Sequence, residues 1–181
     1  MTFLNRHRNT SGGHHGYWRL LQALFVTLLL ALSLGGCAIR LVPSYDPALV
    51  EGLDRLNMRT LSLFGALDGG ASATEFSRYE DEYAELIGGF EALAMRAEAR
   101  PVPQLASRLA RLGAVAELCG SDAAACVNSS PAAMAEIVVT LARMRDLHRD
   151  RGLPEELRQG FKRSYQISIH QAMTVETALS R

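Results

Sequence analysis

The sequence has little of what marks most enzymes and most nucleic-acid binders. It lacks an excess of either charge: nineteen Lys+Arg face nineteen Asp+Glu. No strong field exists to draw in a polyanion, so nucleic acid is excluded as an expected partner. Lysine is almost missing, Lys162 being the only one. Cysteine is scarce, with three in 181 residues and no CxxC spacing. Beyond residue 15 only two histidines remain, His148 and His170. Neither lies in HExxH, and neither follows a glutamate by three residues, as di-iron carboxylate bundles require. GxSxG, a P-loop and GxGxxG are all missing. His148-Arg149-Asp150 matches three letters of a kinase catalytic loop and nothing else of that fold. These absences assign no catalytic residue, no cofactor and no metal, and the expectation is a protein that is not an enzyme.

What is present begins with an export signal. Arg6, Arg8 and Arg19 supply a basic n-region without an acidic residue. The run from Leu20 to Leu34 is apolar except for Gln22, Thr27 and Ser33. A transmembrane anchor needs ~20 apolar residues, and this run is shorter and ends in Gly35-Gly36. A plain secretory signal would tolerate a following cysteine only by chance. The sequence Leu34-Gly35-Gly36-Cys37 resembles the lipobox of bacterial lipoproteins. That resemblance implies cleavage before Cys37, acylation of the new N-terminal cysteine, and membrane lipid as the first partner. One acyl chain binds marginally and reversibly, and a second makes the anchor stable. In that family the next residue influences sorting. Here it is Ala38 rather than an inner-membrane-retaining aspartate, which implies the outer membrane facing the periplasm in a Gram-negative host.

The expected organisation is a removed signal over 1–36, a lipidated cysteine and tether over 37–45, and one domain over 46–181. The signal holds three of the Lys+Arg and none of the Asp+Glu, leaving sixteen basic against nineteen acidic residues. The tether from Ala38 to Tyr45 spans at most ~26 Å at ~3.3 Å per residue. With Cys37 acylated, Cys119 and Cys126 remain. In the oxidising periplasm that the resemblance implies, they are expected to form a disulfide. So local a bridge adds roughly 2 kcal/mol. A metal site is the alternative, without CxxC spacing or nearby histidines to support it.

The domain reads as all-α. Asp46 suits an N-cap and Pro47 the first helical position. Leu49, Leu53, Leu56, Thr60, Leu63 and Leu67 then form a seam, stopped by Asp68-Gly69-Gly70. Ser72-Ala73-Thr74-Glu75 has the pattern of a capping box, followed by Phe76, Tyr79, Tyr83, Leu86, Phe90, Leu93 and Ala97. A third helix is predicted over 103–118 and carries Leu105, Leu109, Leu112 and Val115. A fourth starts at Ser130-Pro131 and carries Met134, Ile137, Val138, Leu141, Met144 and Leu147 until Gly152. The fifth starts near Pro154, with Leu157, Phe161, Tyr165, Ser168, Ala172, Val175 and Leu179 as its inner face. Around Tyr165 a short alternation also suits a strand, but it would have no partner. The expected architecture is an up-down bundle of four to five helices with short connections.

Two clusters are candidate sites. Arg143, Arg149, Arg151, Arg158, Lys162 and Arg163 gather around the turn between the last two helices. They would suit an anionic partner: lipid headgroups, lipopolysaccharide, or the acidic first half of the second helix on another copy. The same charges also suit a solvated, salt-bridged face. Phe76, Tyr79 and Tyr83 would line a ligand cavity between helices, or simply fill the core. His148, near a helix C-terminus, reads as a solvated or capping residue.

Outside the signal, no family is recognisable. The outline is similar to small helical periplasmic lipoproteins with one disulfide, among them secretion pilotins. That likeness implies a membrane-tethered, non-enzymatic adaptor or assembly factor that holds an envelope protein partner. The alternative is a small-ligand carrier or sensor with a cavity inside the bundle.

Overall fold

A computed structural model of the chain describes residues 18, 19, 21–27, 41–113, 117 and 126–180. The chain forms two compact units, residues 1–39 and residues 40–181. In the first, residues 21–27 are helical, with Leu21, Leu24, Phe25 and Val26 exposed. Among the described residues, no helix is long and apolar enough to cross a membrane.

In the second unit all the regular elements among the described residues are helical, as expected. Helix α1 runs Pro47–Ala66, with the Asp46 carboxylate accepting from the Ala48 amide at 3.0 Å. Its whole predicted seam is buried, and Phe64 joins it. The second helix starts differently from the expectation. The chain first makes a 3-10 segment, Ala73–Arg78, before α2 runs Glu80–Glu98. The Glu75 carboxylate binds the Ser72 amide at 2.9 Å and its hydroxyl at 2.8 Å. That tightened turn lets Phe76 and Tyr83 both face inward. Helices α1 and α2 approach closely because Gly52 and Gly89 lie at their contact. A Cβ on Gly52 would come within 2.7 Å of Leu93, and one on Gly89 within 2.8 Å of Leu56.

Over the predicted third helix, α3 runs Gln104–Leu109 and is broken by a turn in which Leu112 N–H donates to the Leu109 carbonyl. Gly113 takes φ +50° and is again helical, as is Glu117, while residues 114–116 and 118 of that prediction lie outside the described residues. Ala106 and Ala110 are buried, while Leu105, Leu109 and Leu112 are exposed. Helix α4 runs Ser130–Arg151, with Gly152 as its C-cap. Helix α5 runs Glu155–Ala178 without interruption, so the segment around Tyr165 is helix.

Helices α1, α2, α4 and α5 pack in a closed cycle, each against two others, over one core. Tyr83, Tyr165, Phe64 and Phe90 are its largest fully buried side chains. Tyr165 sits 5.7 Å from the Phe64 ring and 6.2 Å from the Phe90 ring, tilted or edge-on to each. Its hydroxyl donates to Asn57 Oδ1 at 2.9 Å. Residues of the helix ends gather into two sets. One holds Ser44, Asp46, Arg96, Arg100, Asn128 and Glu176. The other holds Ala71, Ser72, Tyr83, His148 and Leu153, where Ala71 and Leu153 pair as an isolated antiparallel bridge.

The buried face of α5 departs from the prediction at both ends. Tyr165 and Ala172 are buried as expected, but Leu157 is 48% exposed. Arg158 and Glu176 are buried instead, together with Ile169. A hydrophobicity pattern selects Leu157 and Val175. The structure selects their charged neighbours because each finds its counter-charge there.

Candidate functional site

The first buried polar site lies where the chain enters the bundle. Arg100, two residues past α2, is 8% exposed, and Glu176 on α5 is fully buried. They form a two-pronged ion pair, Nη1 to Oε2 at 2.8 Å and Nη2 to Oε1 at 2.6 Å. The fork suits carboxylate geometry. The guanidinium also donates to Asn128 Oδ1 at 3.0 Å and to the Ser44 carbonyl at 3.4 Å. Asn128 in turn donates to the Ala97 carbonyl at 2.9 Å, satisfying the end of α2. Nearby, Arg96 pairs with Asp46 at 2.6 Å, and this bond holds the Asp46 carboxyl below its ordinary range. Pro43 is buried and the Ser44 carbonyl is bonded, so the folded domain holds the chain from residue 43 onward.

The second site surrounds His148. His148, expected as a solvated or capping residue, has no exposed surface and is covered by the segment from Ser72 to Tyr79 together with Tyr83 of α2. Phe76, Tyr79 and Tyr83 surround the imidazole at 5.5, 5.7 and 5.9 Å. Nε2 lies 3.2 Å from the Ser72 carbonyl, which can only accept, so Nε2 carries the proton. Nδ1 is then the acceptor for the Tyr83 hydroxyl at 3.3 Å. Burial pushes the His148 pKa down, against the opposing pull of the Ser72 carbonyl and the Glu75 charge.

This environment predicts a pH response. Below about pH 6.5 the unfolded histidine gains a proton that the folded one resists. Stability is therefore full above that pH and falls as the pH drops towards the lowered folded value, by at most ~1.4 kcal/mol per pH unit. Asp46, Glu75 and Glu155 are held below their ordinary values, Glu155 down to about 2 by Arg158. Their contributions are lost only below about pH 4.5, so the two windows separate. Urea midpoints from about pH 7.5 to 5.5 should fall for the natural chain and stay nearly flat for His148→Gln. Parallel slopes in the two proteins would overturn this assignment.

The basic cluster divides between the two readings the sequence left open, a contact for an anionic partner and a salt-bridged face. Arg158 is 4% exposed and is spent internally. It binds Glu155, the Phe64 carbonyl at 3.1 Å and Asp68 at 2.8 Å. Arg149 pairs with Asp146 and Asp150. Arg143, Arg151 and Arg163 are exposed and Lys162 half-buried, without ion pairs among the described residues. The acidic face of α2 is also engaged, since Arg59 on α1 bonds both Glu82 and Glu85.

The aromatic triad comes together around His148. Phe76 and Tyr83 stack at 6.1 Å and fill the space beside it. Tyr79 is half-buried and borders a surface groove of about 440 Å³ shared with Met58, Ser62, Leu63, Ala66 and Arg78. His170 is exposed. Among the described residues, no group of three or more His, Cys, Asp or Glu is placed to hold a metal ion. Cys37 and Cys119 lie outside the described residues, and with them the lipidation site and one half of the expected disulfide.

No protein-family model matches the chain, and neither a curated protein nor a solved structure matches it.

Sequence reasoning missed Arg100, Asn128 and Glu176. A trace was present: Arg158, Tyr165, Ile169, Ala172 and Glu176 recur at steps of seven, four, three and four. That spacing marks one helix face regardless of charge.

Proposed function

We propose that this chain is a lipid-anchored envelope lipoprotein whose up-down four-helix domain serves as a non-enzymatic adaptor or assembly factor for a protein partner. The observation that carries the reading is Leu34-Gly35-Gly36-Cys37 after an apolar run and a basic n-region. The anchor is membrane lipid joined to Cys37, and the location is the periplasmic face of the outer membrane. Cys119 and Cys126 are the proposed disulfide.

The site chemistry supports an adaptor more than a catalyst. The one buried histidine is committed to Tyr83 and the Ser72 carbonyl, and the buried Arg100 and Arg158 are saturated by carboxylates and carbonyls. Charged groups held this way fix geometry rather than await a substrate. The carrier reading has less support, because Phe76, Tyr83 and His148 pack against one another where its cavity would lie.

Mass spectrometry of the protein purified from envelopes tests the anchor. The expected species begins at Cys37 and carries acyl chains, and it leaves the membrane fraction in Cys37→Ser. A species retaining residues 1–36, or an unmodified Cys37, sinks the lipoprotein reading. Crosslinked capture of the natural protein, with Cys37→Ser as control, tests the adaptor. A partner that depends on Cys37 supports it, and repeated clean captures without one count against it.

A further inference from the structure

We propose that α3 and the turn after it form a membrane-contacting surface, with a phospholipid leaflet as its partner. The proposal rests on the lipidated-tether reading for its geometry, but its chemistry is independent of the acyl chain.

Leu105, Leu109 and Leu112 are 43%, 42% and 61% exposed, at positions i, i+4 and i+7 of one short segment. Leu105 and Leu109, one turn apart, share a face of α3, and Leu112 follows in the turn, while Ala106 and Ala110 are the buried residues beside them. The small alanines seat the segment on the domain, while the large leucines project away from it. Soluble surfaces scatter such leucines singly. Three of them within eight residues, each more than 40% exposed, mark a contact surface.

The charge around these leucines has one sign. Arg108 and Arg111 are exposed beside the leucines. No Asp or Glu occurs between Glu98 and Glu117. Exposed leucines, flanked by arginines whose stems lie along apolar surface and whose heads reach phosphates, suit an anionic lipid interface. A protein groove offers no comparable reason for a run of eighteen residues free of carboxylates.

Position supplies the third argument. The tether joins the domain at Pro43, which is buried, and Ser44 is bonded to Arg100 at 3.4 Å. Pro43 lies six steps along the chain from Cys37, a reach of at most ~20 Å. Helix α3 begins four residues after Arg100, so it belongs to the end of the bundle that this tether holds close to the leaflet. Leu41, Val42 and Tyr45, on the same approach, are exposed as well.

The test uses the mature chain from residue 37 with Cys37→Ser, so that no acyl chain contributes. The probe is mixed phosphatidylethanolamine–phosphatidylglycerol vesicles, compared with phosphatidylcholine alone. The expected result is co-sedimentation with the anionic vesicles, weakened about tenfold in Leu105→Ser/Leu109→Ser/Leu112→Ser. Arg108→Gln/Arg111→Gln should weaken only the binding to anionic vesicles. The leucines are solvent-facing, and circular dichroism with a thermal melt verifies that the variant remains folded. No binding by the natural sequence, or equal binding by the leucine variant, overturns the proposal. A leucine variant that instead changes the sedimentation coefficient in the absence of vesicles makes the face a contact between copies, and also overturns it. The envelope mass measurement is separate: vesicle binding with an unacylated Cys37 would remove the tether reading and leave this surface standing.

Discussion

Glu176→Ala should lose about 3–5 kcal/mol of unfolding free energy, read as a fall in the urea midpoint at constant slope. The reason is asymmetric. Glu176 is fully buried and is the counter-charge of a guanidinium that is itself 8% exposed. Removing the carboxylate leaves Arg100 charged, desolvated and held among Asn128, the Ala97 carbonyl and the Ser44 carbonyl. Arginine cannot shed its proton to escape, unlike a buried lysine or histidine. The pair itself is a different quantity. Ionic pairs of this kind are often replaceable by apolar residues of similar volume at little cost. Arg100→Met/Glu176→Leu is therefore expected to recover most of what Glu176→Ala loses. A single variant within about 1 kcal/mol of the natural chain would show that water reaches the site and that the bundle end is open.

Phe90→Ala should lose a similar amount, about 3–5 kcal/mol, for an unrelated reason. Phe90 is fully buried on α2, edge-on to Tyr165, whose hydroxyl is anchored by Asn57. The ring of Tyr165 cannot slide into the vacated space without giving up that hydrogen bond, so the cavity stays open. Leu157→Ala gives the contrast. Leu157 faces solvent on α5, and its truncation should stay within about 0.5 kcal/mol. A large loss at Leu157 with a small one at Phe90 would restore the inner face that the hydrophobic pattern predicts.

That contrast shows what could be read in advance. The seam of α1 was legible to the last residue, because Leu49 through Leu67 keep apolar or near-apolar side chains at every inward position. The capping pattern at Ser72 was legible too, although the chain continues first as a 3-10 turn. Helix α5 was legible as a helix but not as a face, since its ends bury Arg158 and Glu176. A hydrophobic pattern assigns charge to the surface, and it has no access to counter-charges 90 and 76 residues away. His148 was misread for the same reason: its partners come from the segment Ser72–Tyr83, distant in sequence. The basic cluster was legible only as two alternatives, because counting charges near a turn does not say which of them already have carboxylates, as Arg149 and Arg158 do.

The Arg100 cluster also governs how force enters the molecule. A pull on the segment before the bundle reaches the domain at Pro43 and Ser44. There it meets a guanidinium bonded at once to the segment after α2, the residue before α4 and the last turns of α5, with Asp46 held by Arg96 beside it. The strain is divided among several chain segments instead of peeling α1 away turn by turn. Bonds loaded together must break together, which raises the rate-limiting barrier to forced unfolding. A pull from the C-terminal side enters through the last turns of α5 and meets the same guanidinium at Glu176. Both ends of the folded domain are thus fastened at one cluster.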